Sequence, residues 1–231
     1  MSEKQYLIVP FDHQWLVENP YHLKSLSEFY CSIWEIDENF GEYRQCPNCH
    51  RYFSYEEVEE QYVRTCPDCN NTLVLAWVAK EVTQKLLSVS NQPSDQFSGF
   101  LAFNSNGGLV GFAWAHTLSI EEVEASWGKQ IVDQLKAQND SSEVAYFNEL
   151  ATDPSMRRHG IGSHLIRKIS EWMRQYHGQK MALLRTHENS AARSLYEKIG
   201  YQICGTDTMY GYGRIMMAAN HCANLKIDQL N

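Results

Sequence analysis

The chain has 231 residues, 43% of them hydrophobic and 12% aromatic, which is enough to bury a core in one domain or in two small ones. Its formal net charge of −8 argues against phosphate-backbone binding, which needs a basic face to displace counterions. The same charge favours a neutral or cationic small partner. The amino terminus, Met1-Ser2-Glu3-Lys4-Gln5, lacks a basic segment followed by an apolar one, so no secretory signal is read and a cytoplasmic protein is expected.

In chain order, Tyr6 to Phe11 reads as an opening strand, and Leu23, Leu26, Phe29, Tyr30, Ile33 and Trp34 recur at helical spacing after Pro20. From Gly41 the periodicity stops, and it resumes as a helix only with Val78, Val82 and Leu86. Phe97 to Phe103 and Leu109 to Ala115 are apolar runs joined by Asn-Ser-Asn-Gly-Gly, a hairpin signal; Asn104, Asn106, Gly107 and Gly108 break this uncharged stretch and argue against a membrane span. Ser119 and Glu122 fit a capping box at the start of one helix over 120–137, with Ile120, Val123, Trp127, Ile131 and Leu135 on its apolar face. A strand at 144–152, a helix at 160–177, a strand at 181–186, a helix at 190–199 and strands near 201–205 and 213–218 follow. The fold class expected is α/β, or α+β, built on one mixed sheet.

Cys46-Pro47-Asn48-Cys49 and Cys66-Pro67-Asp68-Cys69, sixteen residues apart, have the spacing of a tetrahedral thiolate site. Residues 42–73 therefore read as an inserted zinc ribbon, with 1–41 and 74–231 forming the main domain. Four thiolates leave no open position, so the metal is expected to be structural, supplying folding energy to a segment too small for a core. An iron centre and a redox dithiol are the competing chemistries. Glu56, Glu57, Glu59 and Glu60 outnumber Arg44, Arg51 and Arg64 around the ribbon, which fits a protein contact or a structural flap better than nucleic acid. Cys31, Cys204 and Cys222, scattered among apolar residues, read as core filling.

The segment Asp153-Pro154-Ser155-Met156-Arg157-Arg158-His159-Gly160-Ile161-Gly162 runs from a strand end through a glycine turn into a helix. Glycines there let amide donors approach an anion, and the helix brings its positive end to the same place; glycines before a helix also serve simply as a turn. Leu150-Ala151-Thr152-Asp153-Pro154 leading into Arg157-x-x-Gly160-x-Gly162, followed by Asn189-Ser190-Ala191-Ala192 and Leu195-Tyr196 with Gly200-Tyr201, resembles the two ordered motifs of the GNAT superfamily of N-acetyltransferases. Thr152 stands where the family commonly has Val, and Arg158 where Gly is frequent. The likeness covers 97–218 well, and the ribbon and the 120–137 helix are additions to the family's pattern.

The resemblance implies transfer of the acetyl group of acetyl-CoA to a primary amine by direct attack. Leu150, Ala151 and Thr152 would hold the pantetheine and acetyl group, while Arg157, Arg158, His159, Gly160, Ile161, Gly162 and Ser163 would receive the pyrophosphate. Asn189 would lie on the cofactor side and cap the helix before Tyr196. Tyr196 would be the general acid for the CoA thiolate, with packing against the sheet as its alternative role, and Glu149 would be the base, with a purely structural carboxylate as its alternative. Arg185 and His187 end the preceding strand near the same cleft and are assigned no catalytic role. The acceptor implied is a small-molecule or peptidyl amine, by charge a cationic one; no membrane or nucleic acid is implied, and the family admits homodimers. The second function carried is a catalytically silent acetyl-CoA sensor or adaptor whose ribbon docks a protein partner.

Overall fold

The computed structural model describes residues 6–36, 43–53, 58, 63–207 and 213–230, with side chains described to 34 in the first of these stretches. Ten strands and seven α-helices follow one another along these stretches. The strand β1 (Tyr6–Phe11) leads into helices α1 (His13–Glu18) and α2 (Pro20–Ile36). Short strands β2 (Arg44–Gln45), β3 (Tyr52–Phe53) and β4 (Val74–Leu75) form a separate three-stranded sheet before helix α3 (Ala79–Ser90). The hairpin β5 (Phe97–Asn104) and β6 (Leu109–Ser119) is next, then helices α4 (Ile120–Trp127) and α5 (Lys129–Lys136) and strand β7 (Glu143–Thr152). Helix α6 (Ile161–His177), strand β8 (Met181–His187), helix α7 (Ala191–Ile199) and strands β9 (Gln202–Thr206) and β10 (Arg214–Ala219) complete the order.

Seven strands make the main sheet in the order β1-β5-β6-β7-β8-β10-β9. Every pairing is antiparallel except β7 with β8. Alternation decides which core each residue joins. Ala113, Ala115, Ala145, Phe147, Ala182 and Leu184 face α6, whose Ile161, Leu165, Ile169 and Met173 recur at helical spacing and are buried. On the opposite face, Phe112 and Trp114 pack under α2 and α3, whereas Val144, Tyr146, Leu183 and Met216 pack under α4 and α5. The helices on this face thus cover the two ends of the sheet as two separate clusters.

Most expected elements stand where the periodicity put them, and Cys31, Cys204 and Cys222 are buried. The capping box at Ser119 and Glu122 forms in both directions. The single helix expected over 120–137 is instead two, broken at Gly128, whose φ of 83° closes α4 with its amide on the Glu124 carbonyl. Glycine reaches this conformation without the penalty an L side chain meets, so the apolar period continues across a break in the backbone.

Candidate active site

The segment after β7 forms a short 3-10 turn at Pro154–Met156, opened by Asp153, whose carboxylate accepts from the Ser155 amide at 2.8 Å and hydroxyl at 2.6 Å. Arg158 then takes a φ of 65° and Gly160 a φ of 79°, two left-handed residues that reverse the chain into α6. The His159 ring lies 3.0 Å from the Arg157 carbonyl oxygen, and Gly162 sits against Thr152 at the end of β7. No side chain caps α6, so the amides of its first turn are left to the positive end of the helix dipole. Such a helix start can receive an anion. The Ile161 side chain is buried in the core, so only its backbone is open to this turn. Asn189 is exposed, and the cap expected of it belongs to Ser190, whose hydroxyl accepts from the Ala192 amide at 3.2 Å. The reason is register: α7 starts at Ala191, which makes its immediate predecessor the capping residue.

The strands β7 and β8 pair only from Val144 with Met181 to Phe147 with Leu184. Beyond that point β7 continues to Thr152 and β8 to His187, so the two part. A bulge in β7 near Asn148, opposite Trp114 and Ala115, accompanies the parting. A cavity of about 480 Å³ opens there between the two helical clusters, and both Glu149 and Tyr196 line it.

Glu149 is held from two sides: the Tyr30 hydroxyl donates to its carboxylate at 2.9 Å, and the Lys85 ammonium lies 3.6 Å away. Burial, and next the negative charge of Glu149, pushes the Tyr30 phenol well above its ordinary value. Tyr196 is buried, with its ring edge-on to Phe147 and Tyr201. Burial again, then Glu149 and Tyr146, raises its phenol, so it carries its proton at neutral pH. His116 lines the same cavity, and its Nδ1 has no hydrogen-bond partner among the described residues. Burial, helped by the Lys85 charge, pulls this imidazole down to about 4, which keeps it neutral at pH 7.

The sequence pattern gave no sign of Tyr30, Lys85 or His116 as site residues, since each sits in an ordinary helix or strand period. Arg185 and His187 also line the cavity, and Arg185 pairs with the buried Asp207 at 3.2 Å.

Cys46, Cys49, Cys66 and Cys69 converge, all four sulfurs lying within 4.8 Å of one another. The two knuckles are built alike. His50 and Asn70 take left-handed φ values of 58° and 62°, and their amides donate to the Cys46 and Cys66 carbonyls. Arg51 bridges to Asp68 at 2.9 Å across the two. A tetrahedral zinc–thiolate centre with bonds near 2.3 Å would set its sulfurs about 3.8 Å apart. The distances of 3.3 Å between Cys46 and Cys69 and 3.6 Å between Cys49 and Cys66 are close to that, so the donor set fits such a metal. Around it the core is small, with Phe53, Val58 and Leu73 beside the cysteines.

No helix among the described residues is long and apolar enough to cross a membrane. No curated protein matches the chain. Among solved structures, a phosphinothricin acetyltransferase of the GNAT superfamily from Sinorhizobium meliloti, in complex with acetyl-CoA, is 12% identical over 94% of this chain and 89% of that one, at a TM-score of 0.53. A chain of the NatC complex bound to Gag peptide and CoA is 13% identical over 94% and 98%, also at 0.53. With nourseothricin acetyltransferase the likeness is 20% identity over 54% of this chain and 65% of that one, at a TM-score of 0.39, so the chain spans less than two thirds of that protein. The model of the acetyltransferase (GNAT) family matches residues 55–201, more than half of the sequence, and the chain belongs to that family.

Proposed function

We propose that the chain transfers the acetyl group of acetyl-CoA to a primary amine. The observation that carries this reading is the meeting of Glu149 and Tyr196 in one cavity where β7 and β8 part, with the uncapped start of α6 at the end of β7. In this reading the amides of Gly160, Ile161, Gly162 and Ser163 receive the pyrophosphate, with Arg157, Arg158 and His159 adding polar and charged groups around it. The open edge of Leu150, Ala151 and Thr152 receives the pantetheine and acetyl group, and Asn189 lies on the cofactor side of α7.

The acceptor arrives as an ammonium, the form a carboxylate attracts, and must lose a proton before its nitrogen can attack the carbonyl carbon. Glu149 takes that proton. As the new C–N bond forms and the C–S bond breaks, Tyr196 donates its phenolic proton to the departing thiolate, and the second proton that the nitrogen sheds on becoming an amide returns through solvent to the Tyr196 phenolate. The two events are linked electrostatically: the charge on Glu149 is among the causes that hold the Tyr196 phenol high, so protonation of Glu149 makes Tyr196 a better acid at the step that needs one. Zinc, held by Cys46, Cys49, Cys66 and Cys69, would supply folding energy to the ribbon and take no part in these steps. A site of four thiolates suits a reducing, cytoplasmic compartment.

Calorimetric titration with acetyl-CoA, followed by thiol release over a panel of amines, tests the reading. Tyr196→Phe should keep acetyl-CoA binding and lose turnover by about 10²-fold or more. Absence of acetyl-CoA binding by the folded, metal-loaded chain would overturn it.

A further inference from the structure

The two segments read from the sequence as additions, residues 42–73 and α4–α5, both reach the cavity. From the ribbon, Tyr52 stacks on Trp77 with centroids 6.2 Å apart and planes 16° from parallel, and both rings line the cavity. From the end of α4, Trp127 lies 5.0 Å from the Tyr146 ring and lines it too. Trp77 also meets Tyr30 edge-on at 5.1 Å, and Tyr30 holds Glu149. From Tyr52 the contacts thus run through Trp77 and Tyr30 into the carboxylate proposed as base.

We infer that these additions select the acceptor, with Tyr52 and Trp127 as specificity-determining residues for an amine that carries an aromatic ring; the inference rests on the acetyltransferase reading above. Flat side chains from separate elements give a ring-bearing molecule faces to stack on, and each such pair adds to simple burial of apolar surface. The same walls tolerate an ammonium: the Lys85 nitrogen already lies 5.2 Å from the Trp77 centroid and 5.7 Å from that of Tyr30. An aliphatic polyamine offers the charge and no ring, so it uses only half of this surface. The ribbon is then a wall of the acceptor site, and its metal acts on the reaction only by holding that wall in place.

The test uses the full, zinc-loaded chain saturated with CoA, titrated calorimetrically with tryptamine and with spermidine. Wild type should bind tryptamine at least about tenfold more tightly than spermidine. Tyr52→Ala and Trp127→Ala should each weaken tryptamine by about tenfold, Tyr52→Phe should restore it, and acetyl-CoA affinity should stay unchanged in all three. Trp127→Ala lies outside the ribbon, so it decides the matter even where Tyr52→Ala disturbs the metal site. Tighter binding of spermidine, no binding of tryptamine, or unchanged tryptamine affinity in both alanine variants overturns the inference. Failure of wild type to bind acetyl-CoA would instead overturn the reading beneath it.

Discussion

Replacing His116 by Phe should flatten the acid side of the stability profile. The imidazole titrates near 6.5 when unfolded and is pulled down to about 4 in the fold, first by burial and then by Lys85. Between these values the unfolded chain binds a proton that the folded chain refuses, so stability is fully present above 6.5 and falls with pH through that window. A difference of about 2.5 units corresponds to a limiting loss of about 3 kcal/mol, of which about 2 kcal/mol is felt at pH 5. Phenylalanine keeps a ring beside Tyr146, which His116 meets edge-on at 5.6 Å, and removes the partnerless Nδ1. The assay is urea unfolding of wild type and variant from pH 7.5 to 4.5, read as the difference between the two. Taking the difference cancels the ribbon cysteines and His177, whose imidazole is also lowered, first by burial. The variant should gain about 2 kcal/mol on wild type between pH 7.5 and pH 5. A difference independent of pH would show that proton uptake by His116 on unfolding does not shape the acid side of the profile.

Gly160→Ala places a side chain at a φ of 79° with only the Tyr6 hydroxyl nearby, at 3.7 Å, so its cost is backbone strain of about 1–2 kcal/mol rather than a clash. Calorimetry should show a lower melting temperature and weaker acetyl-CoA binding; no change in either would remove the left-handed turn from the cofactor site. Tyr30→Phe deletes the 2.9 Å hydrogen bond to Glu149 and should cost about 1.5–3 kcal/mol in urea unfolding, with a changed pH profile of turnover. If that profile is unmoved, Glu149 is not the base. Chelation should expose the ribbon thiols to a thiol reagent and loosen Tyr52 and Trp77, raising hydrogen exchange across residues 77–87, while acetyl-CoA binding persists. Exchange that rises only within the ribbon would separate it from the cavity.

Legible in the residues alone were the periods that became α2, α3, α6 and α7, the hairpin at Asn104 to Gly108, the capping box at Ser119, the glycine turn and the paired cysteines. Each of these is a local property: a side-chain period, a backbone conformation or a cysteine spacing confined to a few neighbouring residues. The break at Gly128 was missed, because the apolar face continues past it and reads as one helix over 120–137.

Which residues meet is settled by strand order and helix packing, not by local pattern. The register between β7 and β8 ends at Phe147 and Leu184, and that parting makes the cavity. Tyr30 meets Glu149 across 119 residues of chain, and Tyr52 of the small sheet meets Trp77, just ahead of α3. His116 sits in an ordinary strand alternation, and its low proton affinity comes from burial and from Lys85 on another element. Local spacing limits where a side chain can point, whereas contact, burial and electrostatic environment are set by strand order and helix packing, which bring distant segments together.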